Sequence, residues 1–330
     1  MYIRADGNSK IGMGHIMRCI SIGKEVQDLG EEVIFLTADE EPAALLEEQG
    51  FQVLVLHTDY RMMDVEWETL EPLLPRGSKL LVDSYFVTDE YLNKLRTRAK
   101  VIYVDDVNAF DYPVDCIING NIYGADTEYH APLVLGGCKY APLRREYAQY
   151  RGKRTEDYVL ITTGSSDPYS ITLKLLKEAV TRPELMKWPF RVVCGRFNGD
   201  YEEIKAMEET YPNIRVLQNV PDMWNVMNGA MAAVTAGGTT MNELSCMGVP
   251  MICFSFVDNQ EQIAETFYKK GFVHFRGDYL QEGNAMIGGI CRALEELLEA
   301  EDLRKQYSEK VSALVDGLGS RRIAEAVLTL

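Results

Sequence analysis

A glycine-bearing segment near the start of the chain holds the residue best suited to acid–base chemistry, His15. Glycines recur at Gly7, Gly12 and Gly14, between an apolar strand predicted at 2–5 and a helical pattern over 16–29. Glycines at such a junction let the backbone approach a ligand, and the helix N-terminus offers N–H donors to an anion. Imidazole can carry a proton at neutral pH. An anion site containing His15 therefore indicates catalysis, although a lone histidine also serves as a capping or packing residue.

A second loop of this kind lies in the other half of the chain, and it reads Thr235-Ala236-Gly237-Gly238-Thr239-Thr240-Met241-Asn242-Glu243. It again joins a predicted strand to a predicted helix. The glycines and threonines offer backbone N–H groups and hydroxyls to a diphosphate. Glu243 shares a helix face with Thr239, where its carboxylate can accept hydrogen bonds from two ribose hydroxyls. Further on, Asn259 and Gln260 open another helix on the same side, so the set predicts a nucleotide diphosphate site.

Charge and composition exclude several classes of partner. The net charge of −16 disfavours nucleic acid and anionic membrane surfaces. Residues 1–150 hold 25 acidic and 14 basic side chains, so an anionic ligand must be bound by local backbone donors. No apolar run approaches the ~20 residues that span a bilayer, and the opening residues lack a basic, apolar signal segment. We therefore expect no membrane insertion and a cytoplasmic location.

Motifs for metals and other cofactors are missing from the sequence. It contains no Asp-x-Asp, no His-Glu-x-x-His and no Walker loop. The pair Asp105-Asp106 is the one acidic pair suggestive of magnesium, but neighbouring residues at a strand end point to opposite faces. None of the seven cysteines is spaced as C-x-x-C, which favours reduced, buried thiols. We expect no metal and no cofactor.

Strand and helix patterns alternate along nearly the whole chain, which predicts parallel, doubly wound α/β sheets. Predicted strands lie at 2–5, 32–37, 53–56, 80–83, 101–105 and 116–118, and again at 158–163, 190–194, 214–217, 232–235 and 251–254. Predicted helices include 42–49, 65–74, 88–98 and a terminal one at 320–330. A polar linker over 144–157 separates the two series. The 330 residues thus form two domains, 1–150 and 151–330.

Together these motifs resemble the GT-B nucleotide-sugar enzymes over nearly the whole chain. Within that group the chain is most similar to the PseG-type hydrolases of pseudaminic acid biosynthesis, and more distantly to the MurG-type N-acetylglucosaminyltransferases. The resemblance is carried by Arg4-Ala5-Asp6, Gly12-Met13-Gly14-His15, Val82-Asp83-Ser84-Tyr85, Asp105-Asp106, Asn119, the segment from Tyr140 to Glu146, the segment from Thr163 to Asp167, and the loop from Gly237 to Glu243. The glycine loops occur in many transferases, whereas Asp83-Ser84-Tyr85 with the segment from Tyr140 to Arg144 is more specific to the hydrolases.

The resemblance implies two Rossmann-like domains facing across a cleft, with the terminal helix returning toward the first. It also implies hydrolysis of UDP-2,4-diacetamido-2,4,6-trideoxy-β-L-altropyranose to the free sugar and UDP. His15 is then the base that activates water and Tyr85 a second active-site group. Glu243 binds ribose, and the backbone of Gly237–Thr240 holds the diphosphate. The remaining residues expected to contact substrate are Asp6, Gly12, Gly14, Asp106, Arg144, Asn242, Asn259 and Gln260.

Two other functions stay open at this point. A glycosyltransferase would use the same base and phosphate chemistry, with an acceptor hydroxyl in place of water. The pair Gly237-Gly238 favours this alternative, because the hydrolases carry serines there. Ser84 also stands where the hydrolases carry histidine, but this difference leaves Tyr85 in place. The acidic first half disfavours a membrane-bound anionic acceptor but not a soluble one. The third function is a nucleotide-sugar binding module without catalysis, and His15 argues against it.

Overall fold

The computed structural model describes residues 1–8, 10–153, 156–164 and 167–330, apart from the side chains of residues 258 and 259. The chain divides into two compact α/β units. Unit 1 comprises Met1–Arg145 with Gly317–Leu330, and unit 2 comprises Glu146–Asp316. The sequence pattern places the boundary slightly later, at 150, within a linker that here contains a short helix. Among the described residues, no helix combines the length and the apolar character needed to cross a bilayer.

Each unit contains one sheet made of parallel strands. The strands of unit 1 are Tyr2–Ala5 (β1), Ile34–Thr37 (β2), Gln52–Val55 (β3), Ser78–Asp83 (β4), Ala99–Val104 (β5), Cys116–Asn119 (β6) and Leu133–Gly136 (β7). Those of unit 2 are Tyr158–Thr162 (β8), Phe190–Cys194 (β9), Ile214–Gln218 (β10), Ala230–Ala236 (β11), Met251–Ser255 (β12) and His274–Asp278 (β13). The predicted parallel α/β class is confirmed.

Helices connect the strands and cover both faces of each sheet. In chain order they are Gly14–Asp28 (α1), Ala43–Glu48 (α2), Met63–Leu70 (α3), Asp89–Arg96 (α4), Arg145–Tyr150 (α5), Ile171–Ala179 (α6), Tyr201–Thr210 (α7), Met223–Asn228 (α8), Thr240–Cys246 (α9), Asp258–Lys269 (α10), Tyr279–Glu282 (α11), Asn284–Glu299 (α12), Glu301–Leu314 (α13) and Gly319–Leu328 (α14). Because helices lie on both faces, the strands read as nearly continuous apolar runs.

The strand order identifies where a ligand is expected to bind in each unit. The sheet of unit 1 has the order β3-β2-β1-β4-β5-β6-β7, and that of unit 2 has the order β10-β9-β8-β11-β12-β13. The order reverses between β1 and β4 in the first and between β8 and β11 in the second. Ligands of open α/β sheets bind outside the carboxyl ends of the strands at this reversal. The two loops singled out from the sequence follow β1 and β11, so both lie at these positions.

Alternating side chains of the strands build two cores in unit 1. Ile3 and Leu81 contribute to the core that contains α1, and Leu80 and Val82 to the core on the other face. The terminal helix α14 belongs to the first of these cores, where Ile323 and others are fully buried. The helix that follows β1 is therefore held between its sheet and the end of the chain.

Two strands and one helix differ from the sequence prediction. The strands β7 and β13 are absent from the sequence prediction. β7 is a four-residue edge strand with Val134 exposed, and β13 is an edge strand that is half-buried throughout. The helix predicted over 65–74 ends at Leu70 and continues as a 3₁₀ turn over Glu71–Leu73. Pro72 lacks a backbone N–H and cannot continue the α-helical hydrogen-bond pattern. The other predicted elements agree with the observed ones to within a few residues.

Candidate active site

The loop between β1 and α1 is closed by Asn8. Its side-chain Oδ1 accepts hydrogen bonds from the N–H groups of Lys10 (3.0 Å) and Ile11 (3.1 Å). Its backbone carbonyl accepts a third from Gly12 at 2.8 Å. Gly12 has a φ of +75°, a left-handed conformation that favours glycine. These bonds fix the path of the chain into α1, where His15 is the second residue.

The imidazole of His15 pairs with a carboxylate of a neighbouring strand. It is only 9% exposed, and its Nδ1 lies 2.6 Å from Oδ1 of Asp83. A carboxylate only accepts hydrogen bonds, so Nδ1 carries a proton, and Nε2 is the nitrogen that holds the lone pair when the imidazole is neutral. Beside it, Gly14 is exposed, and a Cβ there would meet no atom within 4 Å. The neutral imidazole can accept a proton at Nε2, and the helix start next to His15 is open at Gly14.

Asp83, the last residue of β4, is held in place by Arg18. The guanidinium donates from Nε to Oδ2 and from Nη2 to Oδ1, each at 2.5 Å, which is the two-pronged geometry that suits a carboxylate. Burial alone would raise the pKa of Asp83. The positive charge of Arg18, and then the contact with His15, outweigh burial and hold that pKa below its usual range. Asp83 is therefore ionised at neutral pH.

Tyr85 contacts both His15 and Asp106. Its hydroxyl donates to Oδ2 of Asp106 at 2.9 Å, and its ring meets the imidazole edge-on with 4.9 Å between centroids. Partial burial, followed by the charge of Asp106, raises the pKa of the Tyr85 phenol above its ordinary value. The Asp106 backbone is fixed in turn by the hydroxyl of Tyr123, at 2.8 Å from its carbonyl oxygen. The structure thus brings three predicted site residues together: His15, Tyr85 and Asp106.

The two neighbouring acids after β5 bind different partners. The carboxylate of Asp105 accepts hydrogen bonds from the hydroxyls of Tyr112 (2.7 Å) and Tyr129 (2.5 Å). That of Asp106 faces Tyr85 and Arg18. Asp105 therefore holds the following loop, and Asp106 alone faces the candidate site.

Asp6 and Arg144 lie in unit 1 apart from the contacts around His15. Asp6 is buried, and its two carboxylate oxygens accept hydrogen bonds from Arg4 (2.6 Å) and from the N–H of Ala38 (2.7 Å). Arg4 is itself fully buried and also binds Glu66. These contacts tie the loop after β1 to the loop after β2. Arg144 is half-buried just before α5. Sugar contacts by Asp6 and Arg144 stay predictions.

In unit 2, only some of the backbone donors in the loop between β11 and α9 have acceptors among the described residues. The N–H of Gly237 donates to the carbonyl of Phe254 at 2.8 Å, and that of Gly238 donates back to the end of β11 at 2.9 Å. The N–H groups of Thr239 and Thr240 have no acceptor in the part of the chain that the structure describes. The predicted diphosphate contact thus stays a prediction for these two threonines, while both glycine N–H groups are engaged inside the protein.

We expect the two glycines of this loop to respond differently to alanine. A Cβ at Gly237 would lie 2.6 Å from the carbonyl oxygen of Gln260 and 2.9 Å from Ala264 Cβ, whereas one at Gly238 would meet no atom within 4 Å. Gly237→Ala should therefore lower the free energy of unfolding by about 1–3 kcal/mol, and Gly238→Ala should change it little. Urea denaturation of both variants measures this, and equal stabilities would contradict the tight packing of α10 against the loop.

The other predicted nucleotide contacts lie around the same loop. Asn242 is buried and Glu243 is half-buried, both in the first turn of α9. The side-chain Oε1 of Gln260 accepts a hydrogen bond from the N–H of Phe256 at 3.2 Å, so it also holds the loop after β12. The side chain of Asn259 lies outside the described residues. Their nucleotide contacts stay predictions.

Two residues of the candidate site had no role assigned from the sequence, Arg18 and Asp83. Arg18 follows His15 by three positions on α1, which puts both on one helix face. In the sequence, Asp83 stands out only as part of the motif that contains Tyr85. Its pairing with His15 depends on β4 lying next to β1, since Asp83 is aligned with Ala5 across the two strands. A strand order of 3-2-1-4, the usual doubly wound arrangement, could have suggested it.

Comparison with known proteins reveals relatives of similar length. No family model matches the chain. The spore coat polysaccharide biosynthesis protein SpsG of Bacillus subtilis is 28% identical over 97% of this chain and 95% of its own length. The UDP-2,4-diacetamido-2,4,6-trideoxy-beta-L-altropyranose hydrolase of Campylobacter jejuni is 24% identical over 82% of this chain and 96% of its own length. The chain thus resembles a PseG-type hydrolase, as its motifs predict.

Solved structures show the same fold over the full chain. MurG of Acinetobacter baumannii matches with a TM-score of 0.67 and 14% identity, covering 100% of this chain and 99% of that one. The glycotransferase of kitacinnamycin matches with a TM-score of 0.69 and 17% identity, covering 99% and 98%. These matches show the GT-B fold and confirm the predicted fold class.

Proposed function

We propose that this chain is a nucleotide-sugar hydrolase that releases UDP and a free sugar from UDP-2,4-diacetamido-2,4,6-trideoxy-β-L-altropyranose or a closely related sugar. The observation that carries the proposal is the pairing of His15 with Asp83 at the reversal point of the first sheet. In the neutral imidazole, this pairing leaves Nε2 as the nitrogen that can accept a proton. Similarity to the Campylobacter jejuni hydrolase supports the choice of reaction and of substrate.

In the proposed reaction, His15 acts as a general base. A water oxygen attacks the anomeric carbon and gives one proton to Nε2 of His15. The bond from that carbon to the phosphate oxygen breaks at the same time, and UDP leaves with the electron pair. Direct displacement inverts the configuration at the anomeric carbon. General-base assistance of this kind contributes ~10²–10⁴ in rate.

The leaving group needs charge stabilisation more than it needs a proton, because a nucleoside diphosphate is a stable anion. We assign this task to the loop before α9, where the N–H groups of Thr239 and Thr240 stand at a helix start. Glu243 is assigned to the ribose hydroxyls. UDP is the nucleotide of the Campylobacter jejuni relative, and the choice of uracil rests on that relative.

Tyr85 is assigned to the attacking water or to a sugar hydroxyl, through the hydroxyl that now binds Asp106. We expect Tyr85→Phe to lower kcat about 2- to 10-fold, the equivalent of one hydrogen bond of ~0.5–1.5 kcal/mol. Steady-state UDP release measures the change. Tyr268→Phe is the matched control, because Tyr268 is 53% exposed and lies in unit 2. A Tyr85→Phe variant as active as Tyr268→Phe would remove Tyr85 from the mechanism.

A glycosyltransferase with a soluble acceptor is the second candidate. It is favoured by the glycotransferase and MurG structures with the same fold and by the pair Gly237-Gly238. In that case His15 would deprotonate an acceptor hydroxyl instead of water, and the rest of the site would act unchanged.

One experiment separates the two candidates. The protein is mixed with the altrose-configured UDP-sugar in buffer containing EDTA and no acceptor, and the reaction is followed by proton NMR. The hydrolase proposal expects UDP and free sugar to appear together at a rate that added magnesium does not change. Tight UDP binding without turnover would contradict it and favour the transferase.

A further inference from the structure

Arg18 bridges the two carboxylates that orient the candidate catalytic side chains. It binds both oxygens of Asp83, the partner of His15, and its Nη1 also reaches Oδ2 of Asp106, the partner of Tyr85, at 3.3 Å. Only 14% of its side chain is exposed. Asp106 thus offers one oxygen to both Arg18 and Tyr85. A single guanidinium therefore links the partners of the base and of the phenol.

The charges around His15 come from three parts of unit 1. Helix α1 supplies Arg18 and the thiol of Cys19, whose pKa burial raises. The end of β4 supplies the ionised Asp83 and the neutral Tyr85, and the loop after β5 supplies Asp106. With Arg18 present, one of the two negative charges is compensated. Without Arg18, the negative charge of Asp83 beside His15 would be uncompensated.

Arg18 also stands close to the imidazole itself. Its Nη2 lies 3.1 Å from Nδ1 of His15. Asp83 accepts a hydrogen bond from each of these two nitrogens, so both are donors. The 3.1 Å contact between them is therefore not a hydrogen bond. A second proton on His15 would place an imidazolium beside a guanidinium. A like charge at such a distance disfavours the charged form of a group.

We propose that Arg18 is a positioning residue that keeps His15 unprotonated, and so able to act as a base. Arg18 also fixes the positions of the Asp83 and Asp106 carboxylates relative to each other. An adjacent carboxylate by itself favours the protonated, inactive form of a histidine. Arg18 cancels that effect and preserves the orienting hydrogen bond from His15 to Asp83. The inference deepens the proposed function and rests on His15 being its base.

NMR titration of His15 tests the proposal without substrate. Wild-type protein, Arg18→Gln and Arg18→Lys are labelled with ¹⁵N-histidine, and the His15 signals are assigned from their loss in His15→Ala. Arg18→Gln keeps hydrogen bonding and loses the charge, so the titration midpoint of His15 should rise by about one pH unit or more. Arg18→Lys keeps the charge, so its midpoint should stay near that of the wild type. An unchanged midpoint in Arg18→Gln would overturn the proposal.

A pH profile of turnover gives the matching kinetic result. In Arg18→Gln the acidic limb of the kcat/KM profile should move to higher pH by the same amount as the NMR midpoint, with part of the rate recovered at alkaline pH. A purely structural role would lower the rate equally at every pH and leave the limb in place. Arg18→Met provides the same loss of charge in case the glutamine variant does not fold.

Arg182→Gln is the control for loss of a bridging arginine. Arg182 also binds two carboxylates, Glu178 at 2.7 Å and Glu295 at 3.2 Å, but in unit 2. Arg182→Gln should leave both the titration midpoint of His15 and the acidic limb of the kcat/KM profile unchanged. The experiments also separate this inference from the proposed function. A shifted His15 midpoint in Arg18→Gln, in a protein without hydrolase activity, would support the role of Arg18 and contradict the hydrolase function. Turnover by a protein whose His15 midpoint does not shift in Arg18→Gln would support the hydrolase function and contradict the role of Arg18.

Discussion

Replacing His15 by alanine is expected to lower kcat by ~10²–10⁴, with little change in KM for the UDP-sugar. The reason is that Nε2 takes a proton only as the water attacks, so its loss raises the barrier without removing a contact in the bound substrate. Steady-state release of UDP, followed over a range of substrate concentrations, separates the two constants. Together with Asp83→Asn, His15→Ala is expected to give the largest loss of turnover.

A second histidine provides the control for that variant. His130 has a side chain that is 65% exposed and pairs with Asp111, so His130→Ala should retain wild-type turnover. Thermal unfolding of both variants shows whether the fold is preserved. A His15→Ala variant that turns over at the wild-type rate would exclude His15 as the base.

Asp83→Asn is expected to lower kcat by a similar factor, ~10²–10⁴. An asparagine amide that faces Nδ1 with its NH₂ group donates to the ring instead of accepting from it. The imidazole then carries its proton on Nε2 and cannot take one from water. Arg18 also loses one of its two acceptors, since asparagine offers a single oxygen. The rate of UDP release at saturating substrate measures the effect.

The control for Asp83→Asn is Asp115→Asn in the same sheet. Asp115 accepts hydrogen bonds from Lys100 (3.2 Å) and from the N–H of Val101 (2.9 Å). It directly precedes the amino-terminal end of β6, whereas Asp83 is at the carboxyl-terminal end of β4. Its replacement removes a comparable charged partner without touching His15. Equal losses of kcat in the two variants would mean that Asp83 acts through stability and not through the tautomer of His15.

The fold could be predicted from the sequence because its strands are buried on both faces and read as apolar runs between helices. That signal is absent from β13, and β7 has an exposed residue, Val134, within its four residues. β13 reads His-Phe-Arg-Gly-Asp and is half-buried throughout. Pro72 ends α3, although the helical pattern alone extends the predicted helix to residue 74. The alternation itself was enough for the class of fold.

The candidate site could be predicted only where its chemistry is local in sequence. Gly12, Gly14 and His15 are close neighbours in sequence, where the loop after β1 enters α1, so one motif contains all three. Asp83 is 68 residues from His15, and only the pairing of β4 with β1 brings the two together. Tyr85 was found through resemblance to a known family, not through its contact with Asp106. Long-range partners of a catalytic side chain need the strand order, which composition and periodicity do not supply.

The most direct test of water attack at the anomeric carbon is turnover of the UDP-sugar in H₂¹⁸O. The products are analysed by ³¹P NMR, where an ¹⁸O atom on the β-phosphorus of UDP shifts its resonance, and by mass spectrometry of the rapidly quenched sugar. Attack at the anomeric carbon should give unlabelled UDP and one ¹⁸O atom in the sugar, because the carbon–oxygen bond breaks. Label in the β-phosphate of UDP would contradict it, since water would then have attacked phosphorus.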